Sequence, residues 1–455
     1  MAANGIVVPS NGMDHGAVSK VQSFLAAHPN VRFIRYYFQD YSGVLRVRST
    51  PVARALQMAA NPNAGVRSPT PLTCICMQSG ASLLERITPG EDVWIPDWTS
   101  LTEFSASPGT ATVLCSVEER TPGNEGKGTE VQRDRCPRTI LQRVVNEAKQ
   151  KQHVDFLVGV EIEFILLESK DATGTVPSPS GVWLSAQVHV PHWRDIVEEV
   201  VGLLEAAGVH VWIFLAEGGY STYEISLSPL PPLEAVDALH FTRETIKTVA
   251  KKNGLHATMH AKPFETGPST GQHTHLSMSR PELGTPFLAG VLKHFRALCA
   301  LMLSNVESYQ RDTSFGRGAI VWGWQNKPTC VRRVDEAHFE IRPPDAFANF
   351  YLMIAAIIGA GMRGVEDNEE VPTPSLPVLI IKEPLSEEKR KEFGVTEDLP
   401  ADLGEAMKAF KADALLKEVL GEKCFDSFVY LKEKDLEASK KQTTAERRAA
   451  LIAVF

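Results

Sequence analysis

Four short stretches of this chain set chemically active side chains two residues apart between apolar ones. They are Val160-Glu161-Ile162-Glu163-Phe164, Tyr223-Glu224-Ile225-Ser226-Leu227, Gln272-His273-Thr274-His275-Leu276-Ser277 and Phe339-Glu340-Ile341-Arg342. Alternate residues of a β-strand point to one face, so each stretch reads as a strand with one greasy face and one polar face. Burying carboxylates is costly unless they are paired or bound to metal. Four such strands together predict a shared polar cavity that holds cations. Singly, each has a bland reading: Glu161 and Glu163 as a solvated strand face, His273 and His275 as a packed pair, Arg311 or Lys327 as surface charge. Only their joint occurrence points to a site.

Elements must position these strands. Apolar spacing predicts a helix over His15 to His28, and alternation about Asp40-Tyr41-Ser42-Gly43 predicts a hairpin over Arg32 to Arg48. Further strands are expected at Thr73 to Met77, Asp92 to Ile95 and Thr112 to Val117. Thr121 to Arg135 is rich in Gly, Pro and charge and reads as the domain boundary. The expected division is a loose segment 1–14, an N-terminal domain 15–130 and a larger domain 131–455. In the latter, helices are expected at Pro137 to Gln152, Trp193 to Ala207, Leu233 to Asn253, Pro286 to Asn305 and Ala346 to Gly364, with a polar loop at Ser169 to Ser180. The tail from Asp402 reads as charged helix with weak hydrophobic faces.

At 455 residues, with 43% hydrophobic and 22% charged residues, the composition is that of a globular protein with a large core. The net charge of −8 gives no reason to expect nucleic acid or an acidic membrane as partner. Seven scattered cysteines form no disulfide framework and fit a reducing cytosol. Cys74-Ile75-Cys76 is too close for a zinc pair and reads as buried strand. Met1 to Gly16 lacks the basic start and apolar core of a secretory leader. Phe350 to Met362 is too short to span a bilayer, so a cytoplasmic protein is expected.

In order along the chain, Gly159-Val-Glu161-Ile-Glu163-Phe, Glu217 with Glu224-Ile-Ser, Lys262-Pro263 with Gly271-Gln-His273-Thr-His275-Leu-Ser277, Asn326-Lys327, Arg332 and Glu340-Ile-Arg342-Pro-Pro-Asp345 resemble the motif series of the glutamine synthetase family. Asp92-Val-Trp-Ile-Pro-Asp97, Pro137-Arg138, Ala348-Asn349-Phe-Tyr351-Leu and Gly359-Ala-Gly361 extend the resemblance from about His15 to the C-terminus. It implies an α+β fold: an N-terminal β-grasp domain, then a catalytic domain with a curved antiparallel sheet. It also implies a homo-oligomeric, dodecamer-like pair of stacked rings, with active sites between subunits. The implied activity is ATP-dependent carboxylate–amine ligation through an acyl phosphate, chemistry that needs charge neutralisation and in-line positioning. Glu163, Glu217 and Glu224 resemble the family's first metal site, and Glu161, His273 and Glu340 its second. Same-face strand neighbours lie roughly 6.5–7 Å apart, so Glu161 and Glu163 can serve neighbouring ions. Carboxylates suit Mg2+ or Mn2+, and the imidazole tilts the set toward Mn2+. By the same resemblance His275, Lys327 and Arg332 hold the transferring phosphate, Arg311 and Arg342 the acceptor carboxylate, and Ser277 lies near the nucleotide.

The departures are as informative. Where ammonia-using members carry an acidic Asp-Gly-Ser-Ser segment, this chain reads Gly65-Val66-Arg67-Ser68. Their flap Glu has no counterpart after Ser308-Tyr309-Gln310-Arg311, where Asp312-Thr-Ser-Phe-Gly-Arg317 follows. Pro268-Ser269-Thr270-Gly271 replaces Asn-Gly-Ser-Gly, Ser221-Thr222 replaces Gly-Gln, Leu215-Ala216 replaces His-rich residues, and His338 replaces an Arg. These changes favour a γ-glutamyl ligase for an amine other than ammonia. Two alternatives stay open: a non-catalytic assembly or signalling protein that keeps the fold, and a true glutamine synthetase with a rebuilt ammonium site. Cys330 reads as a packed thiol, Trp322 and Trp324 equally as amine-pocket lining or core, and Lys440-Lys441 to Arg447-Arg448 as a solvated helix face.

Overall fold

A computed structural model describes residues 15–69, 90–122, 129–168, 191–219, 221–311, 318–377 and 385–455. The expectations for 1–14, Thr73 to Met77 with its two cysteines, Ser169 to Ser180 and Asp312 to Arg317 lie outside these residues.

The N-terminal elements are α1 (His15–Ala27), β1 (Phe33–Gln39), β2 (Leu45–Pro51), α2 (Val52–Ala59), β3 (Val66–Pro69), β4 (Glu91–Pro96), β5 (Thr102–Glu103), β6 (Thr110–Pro122) and β7 (Thr129–Gln132). Their sheet runs β2-β1-β6-β4-β3, with β5 and β7 also on β6. The hairpin β1–β2 lies beside a parallel β1–β6 pair, the β-grasp arrangement. Alternate residues Ile34, Tyr36 and Phe38 of β1 enter a core with Val113, Cys115 and Trp94.

The hairpin turn is built by Asp40, whose carboxylate accepts from the amides of Ser42 and Val44 and from Arg46 Nε at 2.9, 3.0 and 2.7 Å. Gly43 takes φ +81°, and a Cβ there would stand 2.4 Å from the Phe347 carbonyl oxygen. The turn is thus pressed onto the larger unit. Gln39 donates to the Ala348 carbonyl and accepts from the Phe350 amide, both at 3.1 Å.

The proposed boundary segment is partly sheet, because β7 pairs antiparallel with β6. Two of its charges have partners: Arg133 binds the buried Glu118, and Arg135 the buried Glu119. What composition presents as a linker includes cations that neutralise the buried carboxylates of β6.

The larger unit continues with α3 (Pro137–Gln152), β8 (Phe156–Leu167), α4 (Pro191–Ala206), β9 (Val211–Ala216), β10 (Thr222–Leu227), α5 (Pro232–Lys252), β11 (His256–Thr258), β12 (Thr274–Met278), α6 (Gly284–Lys293), α7 (Phe295–Met302), β13 (Trp322–Trp324), β14 (Val331–Arg333), β15 (His338–Ile341) and α8 (Phe350–Glu366). Then come α9 (Glu387–Glu392), α10 (Leu403–Ala412), α11 (Ala414–Leu420), α12 (Glu422–Ser439) and α13 (Thr444–Ile452). The second sheet runs β13-β14-β15-β12-β8-β10-β9, with β11 also on β8. It is antiparallel except for its edge pair β13–β14, which is parallel. Phe156, Val158, Val160, Ile162 and Phe164 of β8 point into a core shared with α3, α5 and α8. Glu161 and Glu163 therefore point to the other face.

Three expectations change. The helix expected over Pro286 to Asn305 is two helices, broken at His294, whose Nδ1 meets Asp413 Oδ2 at 2.7 Å. The tail helices have stronger apolar faces than expected: Leu403, Ala406, Met407 and Phe410 share one face of α10, and Phe425, Phe428 and Leu431 of α12 join Phe410 in the main core. Arg447 and Arg448 are not solvated: both bind the buried carboxylate of Glu307. Among the described residues no helix is long and apolar enough to cross a membrane.

Candidate active site

The four armed stretches lie on β8, β10, β12 and β15, adjacent strands of the second sheet. Register then does the assembly. Glu163 pairs with Glu224 and Glu161 with Ser226 across β8–β10. His275 pairs with Glu340 across β12–β15, and Glu340 with Arg332 across β14–β15. Directly opposed residues have Cβ atoms about 4.5–5.5 Å apart, so carboxylates far apart in sequence become neighbours. Ahead of β12 the chain stays against β8, where the amides of Glu161 and Glu163 donate to the carbonyls of His273 and Gly271 at 3.0 and 3.3 Å.

His273 Nδ1 donates to Glu161 Oε2 at 3.0 Å and lies 3.7 and 3.9 Å from oxygens of Glu163 and Glu340. Ligand atoms of Glu161, His273 and Glu340 all fall within 4.8 Å of one another. His275 Nε2 donates to the second oxygen of Glu161 at 3.0 Å. Three guanidiniums converge on the same group. Arg311 Nη2 donates to His273 Nε2 at 3.2 Å, Arg332 Nη1 to Glu340 Oε2 at 2.9 Å, and Arg342 Nη1 to Glu340 Oε1.

Glu224 is buried beneath Glu163, and Ser226 Oγ donates to it at 2.7 Å. Burial, with the charges of Glu161, Glu163 and Glu217 against it, pushes its carboxyl up to about 8. Burial pushes Glu161 the same way, but hydrogen bonds from His273 and His275 outweigh it and hold its carboxyl well below the usual range. Burial is likewise outweighed at Glu340 by Arg342 and His273, so its carboxyl is lowered. One patch thus gathers several carboxylates, where burial first and the neighbouring negative charges second disfavour the ionised form of Glu224. Its all-oxygen set with one imidazole fits a hard divalent cation.

Ser277 stands two register pairs along, half-buried opposite His338, and Lys327 on the exposed turn between β13 and β14. Glu217 follows β9, its amide donating to the Thr222 carbonyl at 2.9 Å. The two altered loops meet there: a Cβ on Gly219 would lie 2.6 Å from Pro268 Cβ. Ser221 takes φ 57°, in the left-handed region that favours glycine, where the family's pattern has Gly. Arg67, in place of the family's acidic segment, pairs with Glu91 at 2.9 Å. Cys330 is a packed thiol, fully buried, its Sγ donating to the Ala319 carbonyl at 3.1 Å and pushed up to about 12 by burial. Trp322 is core, its indole donating to the Thr373 carbonyl at 2.9 Å, whereas Trp324 is exposed with Arg333 over its ring.

Two contacts, made by residues already named from the sequence, could not be read from it. His338 Nε2 lies 2.8 Å from His275 Nδ1, within hydrogen-bonding distance. Buried Gln272 accepts from Arg243 Nη2 at 2.9 Å and donates to the Glu163 carbonyl at 3.0 Å, fixing the strand that carries Glu161 and Glu163. The available signal was Arg243 itself, a cation on the apolar stripe of α5 with Leu239 and Ile246.

Sequence comparison agrees with this geometry. The glutamine synthetase catalytic-domain family matches residues 134–450. The protein fluG of Emericella nidulans is 29% identical over 450 residues, covering 96% of this chain and 50% of that one, so this chain spans half the length of that relative. The gamma-glutamylpolyamine synthetase GlnA3 of Streptomyces coelicolor is 30% identical over 422 residues, covering 86% of this chain and 87% of that one. A solved GmaS/ADP complex superposes with a TM-score of 0.78 at 25% identity, covering 94% of this chain and 98% of that one. The chain belongs to the glutamine synthetase family.

Proposed function

We propose that this chain joins the γ-carboxylate of glutamate to an amine other than ammonia. A carboxylate oxygen attacks the γ-phosphorus of ATP, the bond to the β-phosphate oxygen breaks, and ADP leaves an acyl phosphate. The amine nitrogen then attacks the acyl carbon, inorganic phosphate departs, and the nitrogen loses a proton. The observation that carries this reading is the Glu161–His273–Glu340 group with Arg311, Arg332 and Arg342 on it.

Glu161, His273 and Glu340 would hold one divalent cation and Glu163, Glu217 and Glu224 another. Mg2+ or Mn2+ there supplies the neutralisation that phosphoryl transfer requires. Arg311 and Arg342 bind the acceptor carboxylate, for which the guanidinium fork is suited, while Lys327, Arg332 and His275 hold the transferring phosphate and Ser277 borders the nucleotide. The missing acids at Gly65 to Ser68, together with the Arg67–Glu91 pair, support a neutral or bulky acceptor over ammonium. The name of the Streptomyces relative supports a γ-glutamyl amide product.

A β-grasp domain over 15–130, a catalytic domain over 131–455, a ring oligomer with sites between subunits and a cytoplasmic location complete the proposal. The test is a phosphate-release screen of acids crossed with amines.

A further inference from the structure

Arg311 ends a short 3-10 helix, Val306–Gln310, whose second residue, Glu307, is a carboxylate with no solvent exposure. Arg447 Nε donates to Glu307 Oε1 at 2.7 Å and Arg448 Nε to Oε2 at 3.3 Å. Both arginines come from α13, and their side chains are only 15% and 14% exposed. An exposed ion pair would contribute little, but a buried carboxylate stripped of its cations is strongly disfavoured.

The arginines are themselves held. Arg447 Nη1 donates to the carbonyls of Ser439 and Gln442 at 3.2 and 2.9 Å. A capping box between Thr443 and Glu446 fixes the start of α13. Beyond its end, Lys247 Nζ donates to the Val454 carbonyl at 2.7 Å. The far side of the contact is the site. The Arg311 amide donates to the Ser308 carbonyl at 3.3 Å, and its guanidinium reaches the Pro343 carbonyl at 3.0 Å and His273 Nε2 at 3.2 Å.

We propose that Arg447 and Arg448 are positioning residues: through Glu307 they set the place of Arg311, and with it the affinity for the acceptor carboxylate. The inference rests on the ligase reading, which assigns that carboxylate to Arg311. Its consequence is selective. Arg332 and Lys327 come from the β13–β14 segment, whereas the bonds of Glu307 run to α13, so nucleotide binding is expected to be spared.

The experiment measures steady-state constants for the Arg447→Gln/Arg448→Gln variant of the full chain. The KM for the carboxylate substrate is expected to rise about ten-fold or more, while the KM for ATP stays within about two-fold. Constants that rise together, or do not move, overturn the inference. If the double variant does not fold, Arg448→Gln alone breaks the longer bond and is read the same way. A wild-type chain that releases no phosphate with any acid–amine pair overturns the ligase reading instead. Hydrogen exchange then tests the latch: faster exchange at 305–311 in the variant, with 331–341 unchanged, supports it, and unchanged exchange overturns it.

Discussion

Gly271 runs so close to Arg311 that a Cβ on it would stand 2.2 Å from Nη2, and 2.9 Å from Nε2 of His273. The absent side chain is what lets the Arg311 guanidinium reach the His273 imidazole. Gly271→Ala must displace Arg311, and a shift of about 1 Å in such a group costs about 100-fold in rate. The expected result is that loss in kcat/KM with a near-native urea midpoint, since the displaced group lies in the cavity and not in the apolar core. Comparable loss of stability and activity would mean that the glycine serves folding only.

His273 Nδ1 faces the carboxylates of Glu161, Glu163 and Glu340 within 3.9 Å. His273→Ala should weaken Mn2+ binding by more than about 100-fold, beyond the loss typical of removing a supporting contact, and abolish ATP turnover. Titration calorimetry of the purified chain reads the first, phosphate release the second. Glu163→Ala should behave alike. Full turnover with unchanged metal affinity in either variant removes the cation assignment.

Much of this site was legible in sequence because strand alternation has a fixed period of two. Once Glu161, Glu224, His275 and Glu340 are placed on strands, their faces follow. Which strands are neighbours does not follow, since β8, β12 and β15 are separated by helices of unrelated pattern. Periodicity also cannot report charge pairing across the fold. Arg447 and Arg448 read as solvated because nothing local reveals Glu307 over a hundred residues away, and Thr129 to Gln132 read as linker because its partner strand does not mark it.

His260 is buried against Phe347, and burial, assisted by the Arg448 charge, lowers its imidazole to about 3. Below about 6.5 the unfolded chain takes up a proton there that the native chain does not, so this group removes stability as pH falls from 6.5 toward 3. The slope is about 1.4 kcal/mol per pH unit. Gln at this position can still accept from the Lys262 amide, which donates to His260 Nδ1 at 3.0 Å. Urea denaturation of His260→Gln and the parent at pH 7.5, 6.5 and 5.5 should therefore show the parent losing about 1 kcal/mol more over the last step, because the unfolded imidazole is already half-protonated at 6.5. Parallel curves would mean that the imidazole is charged in the folded protein.

The central claim is that the metal and phosphate machinery acts on a carboxylate while the ammonium pocket is gone. It is tested by ATP-dependent phosphate release from the full chain with glutamate and Mn2+, in parallel with ammonia, polyamines, ethanolamine and aromatic amines, and mass spectrometry of the product. The account predicts release and a γ-glutamyl amide with at least one of these larger amines, and none with ammonia. Turnover with ammonia as good as with every larger amine, or no phosphate release under any combination, would contradict it.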